Sequence, residues 1–368
     1  MPAASRARSP GAALSWTAWV AVLFVLFNCG APHAVSRALD DALSRGTLRL
    51  TRANAVDAVR AYLTNDGDIV RYFAYCEATL GKPYLSHYVR PFADWQSAFS
   101  LGGADREAGA TRVPGVPLRP YRDFLVEYPP GFFLWAMPPA LAASSLDSYR
   151  LIFCTAMALV LTVALLLILR FERVPGGDQP GRLVAYAALA AFLVGTVTTH
   201  RYDAVVALSL AVAAWATFRE RPAWLGLAVG IGAASKLVPL VAAPAWALYL
   251  ARRGRWSILA TAAGVAAATA AAVGLCPLAW GGTLGDTIAY HRLRPLQLES
   301  TLAAALGLWR ALGGPAVHYV QTFGSSNLAG AAAEAALRAT APLTLMGLAL
   351  AWAWTWIRVA RAPTTAEA

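Results

Sequence analysis

Long runs of apolar residues alternate with short polar stretches along most of this chain. A helix of roughly 20 apolar residues crosses the core of a bilayer, and several runs approach or reach that length. The pattern predicts membrane-spanning helices at residues 14–29, 151–169, 183–199, 204–218, 258–278 and 342–357. The first run is slightly short and is interpreted as a retained helix, with a cleaved signal peptide as the alternative.

Three other apolar runs are too short or too interrupted to be ordinary spans. Residues 132–143 carry two adjacent prolines, and residues 302–312 form only a brief apolar piece. Residues 223–250 exceed one span, but Lys236 and Pro239 interrupt them, which predicts two short helices that meet near the lysine. The architecture expected is an all-α polytopic integral membrane protein of about eight full spans with additional re-entrant pieces.

The segment between residues 31 and 130 contains no run that is apolar enough to span a membrane. We therefore expect three parts: a tail and first transmembrane helix at 1–30, a large extracytoplasmic loop at 31–130, and a multi-span domain at 131–368. The composition agrees with a membrane protein, because only 14% of the residues are charged, whereas soluble domains carry about 25%.

The net charge of +11 comes mainly from arginines at the ends of apolar runs. Such a distribution is a topology signal and does not indicate nucleic-acid binding. The positive-inside rule assigns the arginine-rich ends and both termini to the cytoplasm. The 31–130 loop, the 200–203 turn, Lys236 and the 290–300 stretch then share the extracytoplasmic face. The bias toward arginine and alanine is typical of a GC-rich bacterial genome, so the predicted location is a bacterial plasma membrane.

Acids from the loop and cations from the helix ends are expected together on that face. A carboxylate can accept a proton from a hydroxyl group, and cationic side chains can stabilise a departing phosphate. The cations are Arg201, Lys236, His291, Arg292 and Arg294. This combination predicts group transfer from a lipid phosphate. Two structural alternatives stay open, since Arg201 with Asp203 would form an ion pair that caps helices, and His291 would lie in a solvated loop.

Neither a metal site nor a cofactor is predicted. The cysteines are scattered without a paired spacing, no histidine stands at ligand spacing, and no nucleotide-binding Gly-rich motif is present. The cysteines are interpreted as packing residues, with a Cys29–Cys276 disulfide as an alternative. Dependence on a divalent cation stays open.

Four stretches resemble motifs of the bacterial glycosyltransferase family 87. The segment PYRDFLVEYPPG at 120–131 is similar to the first-loop signature of that family. The other stretches lie at 68–84, 201–239 and 290–300, in the family's order. One departure is that residues 85–119 separate what is normally one continuous motif, and another is a proline at 295 where the family usually has glycine.

The resemblance implies a GT-C-like helical bundle that transfers a hexose, commonly mannose, by inversion from a polyprenyl-phosphate donor to a lipid or glycan acceptor of the cell envelope. By the same resemblance, Asp68 takes the catalytic-base role, with Asp66 as the alternative. The other matched residues would bind the donor or the acceptor: Tyr72, Asp123, Glu127, Tyr128, Arg201, Asp203, Lys236, His291, Arg292, Arg294 and Glu299. The expected partners are the donor, the acceptor and membrane lipids, without nucleic acid.

Two other classes of protein compete with this interpretation. A transporter or flippase would use the same charges to move a lipid-linked or small anionic solute, and a catalytically inactive scaffold would explain the divided loop motif. Many transporters contain internal repeats with broken helices in matching positions. The sequence shows no convincing repeat, which favours the enzyme.

Overall fold

The computed structural model describes residues 67–85, 89, 112–171, 197–279, 281–298, 300–323 and 325–361. The first predicted span at 14–29, and all but the end of the span predicted at 183–199, lie outside these residues. Two candidate site residues, Asp66 and Glu299, also lie outside them.

Helices account for most of the described chain. In order they are α1 (Gly67–Thr79), α2 (Phe133–Ala142), α3 (Leu146–Phe171), α4 (Val197–His200), α5 (Asp203–Phe218), α6 (Pro222–Ser235), α7 (Val238–Arg252), α8 (Trp256–Gly274), α9 (Cys276–Ala279), α10 (Gly285–Leu293), α11 (Thr301–Ala311) and α12 (Ala331–Arg361). A 3-10 turn at Pro130–Phe132 precedes α2. Helices α1 and α10 lie in segments for which the hydrophobic pattern predicts loop.

Three of the described helices are long and apolar enough to cross a membrane, over Leu146–Ile168, Trp256–Gly274 and Ala331–Arg358. The apolar helices α5, α6 and α7 are shorter. The predicted break near Lys236 is confirmed, because α6 ends at Ser235 and Lys236 is extended, with φ −160° and ψ 134°. Pro239 explains the break, since the ring of a proline collides with the carbonyl group four residues earlier.

Two small antiparallel sheets correct the prediction of a wholly helical chain. β1 (Tyr84–Leu85) pairs with β2 (Arg112–Val113). In the second sheet, β3 (Leu296–Gln297) pairs with β5 (Ser325–Ala329), and β5 also pairs with β4 (His318–Thr322) as a hairpin. The hairpin occupies a stretch predicted as loop, and α12 begins well before the last predicted span. Short polar strands of this kind carry no long apolar run, so the hydrophobic pattern did not indicate them.

The chain divides into two compact units. The described residues of the first unit come from 67–73, 131–240 and 261–269, and its helix α5 packs against α3 and α6. Glycines let α6 approach a neighbouring backbone closely, since a Cβ atom at Gly226 or Gly230 would lie 2.6 Å from the carbonyl oxygen of Ala262 or 2.7 Å from that of Ala266. Small residues four apart serve this purpose at helix contacts in membranes.

The described residues of the second unit come from 74–130, 241–260 and 270–368. One of its cores lies where the three-stranded sheet meets α11 and the beginning of α12, and its buried residues are Leu296, Ala303, Leu306, Val317, Leu328 and Ala333. Helix α11 begins with Ser300 as its N-cap, whose hydroxyl accepts a hydrogen bond from the Ala303 amide at 3.3 Å. A second core pairs Leu125 with Tyr290 of α10.

Candidate functional site

Asp68 lies in the first turn of α1, where the helix dipole favours a negative charge. One oxygen of its carboxylate, Oδ2, is 2.8 Å from the Nε atom of Arg201, and the other, Oδ1, is 3.9 Å from Nη1 of Arg71. About a quarter of the Asp68 and Arg201 side chains is exposed. The carboxylate is therefore held in a fixed direction by an arginine and still reaches solvent.

A second ion pair forms two residues further along the same turn. Asp203 is the first residue of α5, and its Oδ1 atom accepts a hydrogen bond from Nζ of Lys236. The ammonium group also lies 5.8 Å from the centre of the Tyr202 ring. Both partners of this pair are about two fifths exposed. Two ion pairs thus start from one turn, because Arg201 binds Asp68 and Asp203 binds Lys236. We call these residues and the neighbouring arginine the ion-pair cluster: Asp68, Arg71, Arg201, Asp203 and Lys236.

These pairings decide between the interpretations of two charged residues. The sequence left open an ion pair between Arg201 and Asp203, but the structure pairs Arg201 with Asp68 and Asp203 with Lys236. Lys236 stands at the break between two apolar helices, where an unpaired cation would be costly. Its extended backbone and its bond to Asp203 explain how the charge is accommodated.

Tyr72 lies one turn after Asp68 in α1 and is buried among aromatic rings. Its ring centre is 4.9 Å from that of Phe132, 5.5 Å from that of Phe153 and 5.8 Å from that of Tyr202. Burial raises the pKa of the Tyr72 phenol well above its ordinary value, and the charge of Asp68 raises it further. The phenol is therefore neutral, and Tyr72 supports the ion-pair cluster as a packing residue.

Ser235 and Trp135, which the sequence interpretation did not include, reinforce the end of α6 beside Lys236 together with Gly131. The hydroxyl of Ser235 accepts a hydrogen bond from the indole Nε1 of Trp135 at 3.0 Å and donates one to the carbonyl of Gly131 at 3.3 Å. A Cβ atom on Gly131 would lie 2.6 Å from the Ser235 nitrogen. The glycine that ends the PYRDFLVEYPPG segment was the available signal, because such a close backbone approach needs it.

In the second unit, the rest of that segment is held in shape by hydrogen bonds to its backbone. Tyr121 has φ +66°, a left-handed conformation that costs energy for a residue with a side chain. Its hydroxyl donates to the carbonyl of Tyr128 at 2.6 Å, and its own carbonyl accepts from the Thr283 amide at 3.0 Å. The surroundings thus fix an otherwise unfavourable turn.

Helix α10 fixes the segment further along, through two residues four positions apart on one helical face. Thr287 donates from Oγ1 to the carbonyl of Val126 at 2.8 Å, and Nε2 of His291 lies 2.7 Å from the carbonyl oxygen of Glu127. Because a carbonyl oxygen only accepts, Nε2 carries the hydrogen. We call this arrangement the α10 clamp. Beside it, Tyr290 donates to the carbonyl of Phe323, and the Glu127 side chain is buried.

The remaining candidate residues of the second unit differ in exposure. Asp123 accepts a hydrogen bond from the Arg119 amide at 2.8 Å and is partly exposed. Arg294 donates to Ser325 at 3.1 Å, and Arg292 is exposed. The structure therefore brings Asp68, Tyr72, Arg201, Asp203 and Lys236 together in the first unit. It groups the others in the second unit: Asp123, Glu127, Tyr128, His291, Arg292 and Arg294.

The part of the chain that the structure describes offers no cluster of metal-ligating side chains. Among those residues, no group of three or more histidine, cysteine, aspartate or glutamate side chains could hold a metal ion.

Long apolar helices, together with acids and bases paired at helix ends, are typical of a membrane protein with a polar site at the ends of its helices. A family model for glycosyltransferase family 87 matches residues 124–368, more than half of the chain. The chain belongs to this family of membrane glycosyltransferases, as the sequence motifs indicated. Asp68 and Asp123 precede the matched residues. No curated protein and no solved structure matches the chain significantly.

Proposed function

We propose that the chain transfers a hexose, with mannose as the first sugar to test, from a polyprenyl-phosphate donor to a lipid or glycan acceptor of the cell envelope. The reaction takes place at the extracytoplasmic face of the plasma membrane, with both termini in the cytoplasm. Membership in the family supports glycosyl transfer within a membrane protein. The nature of the donor rests on the ion-pair cluster.

The observation that carries this proposal is the pairing of Asp68 with Arg201 and of Asp203 with Lys236 around one turn. Both pairs are partly exposed, so an incoming phosphate can compete for the cations at little cost, because exposed ion pairs contribute only about 0–1 kcal/mol. A guanidinium group holds phosphate oxygens in a fork, and an ammonium group acts as a point charge. Two such groups next to a carboxylate suit a leaving group that is a phosphate.

The proposed reaction is a single inverting displacement. Asp68 accepts the proton of an acceptor hydroxyl while the oxygen forms a bond to the anomeric carbon. The bond between that carbon and the phosphate oxygen breaks, and the polyprenyl phosphate leaves with the electron pair. Arg201 and Lys236 stabilise the charge that develops on the leaving phosphate. No nucleotide takes part.

For the second unit we propose binding roles that follow from exposure. Asp123, Arg292 and Arg294 present polar groups that can bind sugar or acceptor hydroxyls, and Tyr128 adds an aromatic surface. His291 was expected to hold phosphate, but its Nε2 is engaged by the Glu127 carbonyl. We therefore assign His291 to positioning Glu127 and Tyr128.

The test uses the full-length protein, purified and reconstituted with a native lipid extract. Radiolabelled polyprenyl-phosphate mannose is supplied, and lipid products are separated after incubation. A labelled product that depends on the protein supports the proposal, and the glucose-bearing donor serves as the sugar control. Product formed only from a nucleotide sugar would exclude the proposed donor. Movement of labelled donor across vesicles without a covalent product would instead support the transporter class.

A further inference from the structure

Helix α11 has an apolar face that points away from the protein. With 3.6 residues per turn, five residues of the helix and its C-cap residue Leu312 fall on one side. All six are exposed: Ala304, Ala305, Leu308, Trp309, Ala311 and Leu312. The exposed fractions of Leu308 and Leu312 are 65% and 78%. A helix on a water-facing surface shows the reverse arrangement, with polar residues outward.

The one charged side chain of α11 does not lie on that apolar face. Arg310 points to the side that packs on the sheet, and its Nη1 donates to the carbonyl of Val317. The buried residues Ala303 and Leu306 lie on the same side. Arg310 is itself exposed, but its guanidinium is held at the side of the sheet, so the face that carries Leu308 and Leu312 is free of charge. A helix in contact with lipid has such an uncharged outer face.

The contact with α12 gives the depth of this helix in the membrane. Between Arg338 and Arg358, α12 has no charged residue, and at 1.5 Å per residue this stretch is about 30 Å long, which equals the hydrocarbon thickness of a bilayer. Helix α11 packs on Ala333 and Ala336, which lie less than two turns before Arg338, on the N-terminal side of the uncharged stretch. That distance corresponds to the head-group layer, which extends about 5–8 Å beyond the hydrocarbon on each side.

We infer that α11 is an interfacial helix whose apolar face lies in the bilayer, in the leaflet at the N-terminal end of α12. The positive-inside rule makes this the outer leaflet, since Arg358 and Arg361 mark the opposite end. The helix has only 11 residues, so it is too short to span. Leu343 and Leu345 of α12 are exposed as well, and Trp309 is of the residue type that is enriched at membrane interfaces.

This inference predicts that the three-stranded sheet is held at head-group level. The sheet packs on the inner side of α11 through Val317 and Leu328. A bilayer that binds the outer side of α11 would keep the sheet, and Arg294 next to it, at the depth where a lipid-linked sugar is presented. This last step rests on the proposed function, whereas the membrane contact itself does not.

Fluorine NMR of the protein labelled with fluorotryptophan and embedded in lipid nanodiscs tests the inference. The resonance that disappears in Trp309→Phe identifies Trp309, and this conservative change leaves the fold intact. Lipids that carry a nitroxide near the head group should remove most of the Trp309 signal, and lipids with the nitroxide at the chain end should remove less. Trp356, two residues before Arg358, is the positive control for an interfacial tryptophan.

Two outcomes would overturn the inference. Loss of the Trp309 signal with a water-soluble gadolinium chelate, but not with lipid nitroxides, would put α11 in water. Protection from both probes, together with a dimeric mass, would make its apolar face a contact between two copies. A double variant, Leu308→Asp with Leu312→Asp, should abolish the lipid-induced loss of the Trp309 signal, while an unchanged Trp356 resonance and an unchanged thermal unfolding temperature report that the fold persists.

Discussion

The ion-pair cluster of the first unit and the PYRDFLVEYPPG segment of the second unit are held by different kinds of interaction. The cluster joins side chain to side chain through charges that are partly exposed. The segment is fixed through its backbone carbonyls by the buried Tyr121 and by the α10 clamp, in which Thr287 is buried and His291 is exposed. Each region carries residues of two of the four stretches that resemble family motifs, so membership in a motif alone does not distinguish their tasks.

The difference indicates which residues can meet a charged ligand. An exposed ion pair contributes about 0–1 kcal/mol, so its members can change partners when a phosphate arrives. A buried carbonyl that loses its donor costs about 1–3 kcal/mol, so such bonds persist through a reaction cycle. We therefore expect substitutions in the cluster to change catalysis with little effect on stability, and substitutions in the clamp to change both.

The largest effect is expected for Asp68→Asn. Removal of a general base lowers turnover by about 10²–10⁴-fold, and the amide keeps the size of the side chain. The measurement is product formation with radiolabelled donor, alongside the thermal unfolding temperature in detergent. Asp147→Asn is the matched control, because Asp147 is an exposed acid that pairs with Arg150 at 2.7 Å. Turnover near the wild-type value in the Asp68 variant would end its assignment as the base.

Lys236→Met should have the next largest effect. A hydrogen bond to a charged group is worth about 1.5–3 kcal/mol, and 1.4 kcal/mol corresponds to a factor of ten in rate, so turnover should fall about 10–100-fold. Lys236→Arg should recover part of this loss by restoring the charge. Stability should change by less than about 1 kcal/mol, since the pair with Asp203 is partly exposed. A strong destabilisation would make the lysine structural and weaken the comparison.

Thr287→Val should lower stability more than Lys236→Met and activity less. The substitution keeps the shape of the side chain but removes the donor to the Val126 carbonyl, at a cost of about 1–3 kcal/mol. Thr287→Ser keeps the hydroxyl and should restore most of both quantities. Chemical unfolding and the ratio of kcat to KM are measured for each variant. If valine leaves stability unchanged, the α10 clamp does not fix the segment.

Tyr72→Phe should have the smallest effect, and that effect should depend on pH. Because burial raises the pKa of Tyr72, the folded protein keeps the phenolic proton above pH ~10, where an unfolded chain loses it. The folded state then binds more protons, so its stability falls as the pH rises in that range. The phenylalanine variant should lose this decline, with an unchanged pH profile of transfer below it. A shifted alkaline limb of transfer would show that the phenol takes part in the reaction.

The hydrophobic pattern predicted the helices well where the residues in question are apolar or are prolines. The break at Lys236 follows from Pro239, and the short helix α2 follows from an apolar run with two prolines. The strands β4 and β5 were not predicted because the stretch from His318 to Ala329 has no long apolar run and depends on packing against α11 and α12. Helix α1 was not predicted for a similar reason, since its buried face consists mainly of aromatic and small residues and forms no long apolar run.

The candidate site was predictable as a set of charges but not as a set of pairs. The sequence indicated Asp68, Arg201, Asp203 and Lys236, and the positive-inside rule assigned them to one face. It could not assign partners, because residues 68 and 201 meet only through tertiary packing. Trp135 and Thr287 were missed, since an indole and a hydroxyl in these positions have no distinctive spacing. Their bonds to Ser235 and to a backbone carbonyl exist only in the folded chain.

The interruption between α6 and α7 has a consequence for the solvent around the protein. These helices have 14 and 15 residues, or about 21 and 22 Å, so neither alone crosses about 30 Å of hydrocarbon. A chain that stops being helical inside lipid leaves peptide groups without hydrogen-bond partners, which hydrocarbon does not tolerate. The protein itself meets part of this demand, since the Lys236 amide donates to the Gly232 carbonyl at 2.7 Å and the Tyr202 hydroxyl donates to the Ser235 carbonyl at 3.3 Å. We propose that water in an inlet beside Lys236 meets the rest and gives a polar head group access to the lysine.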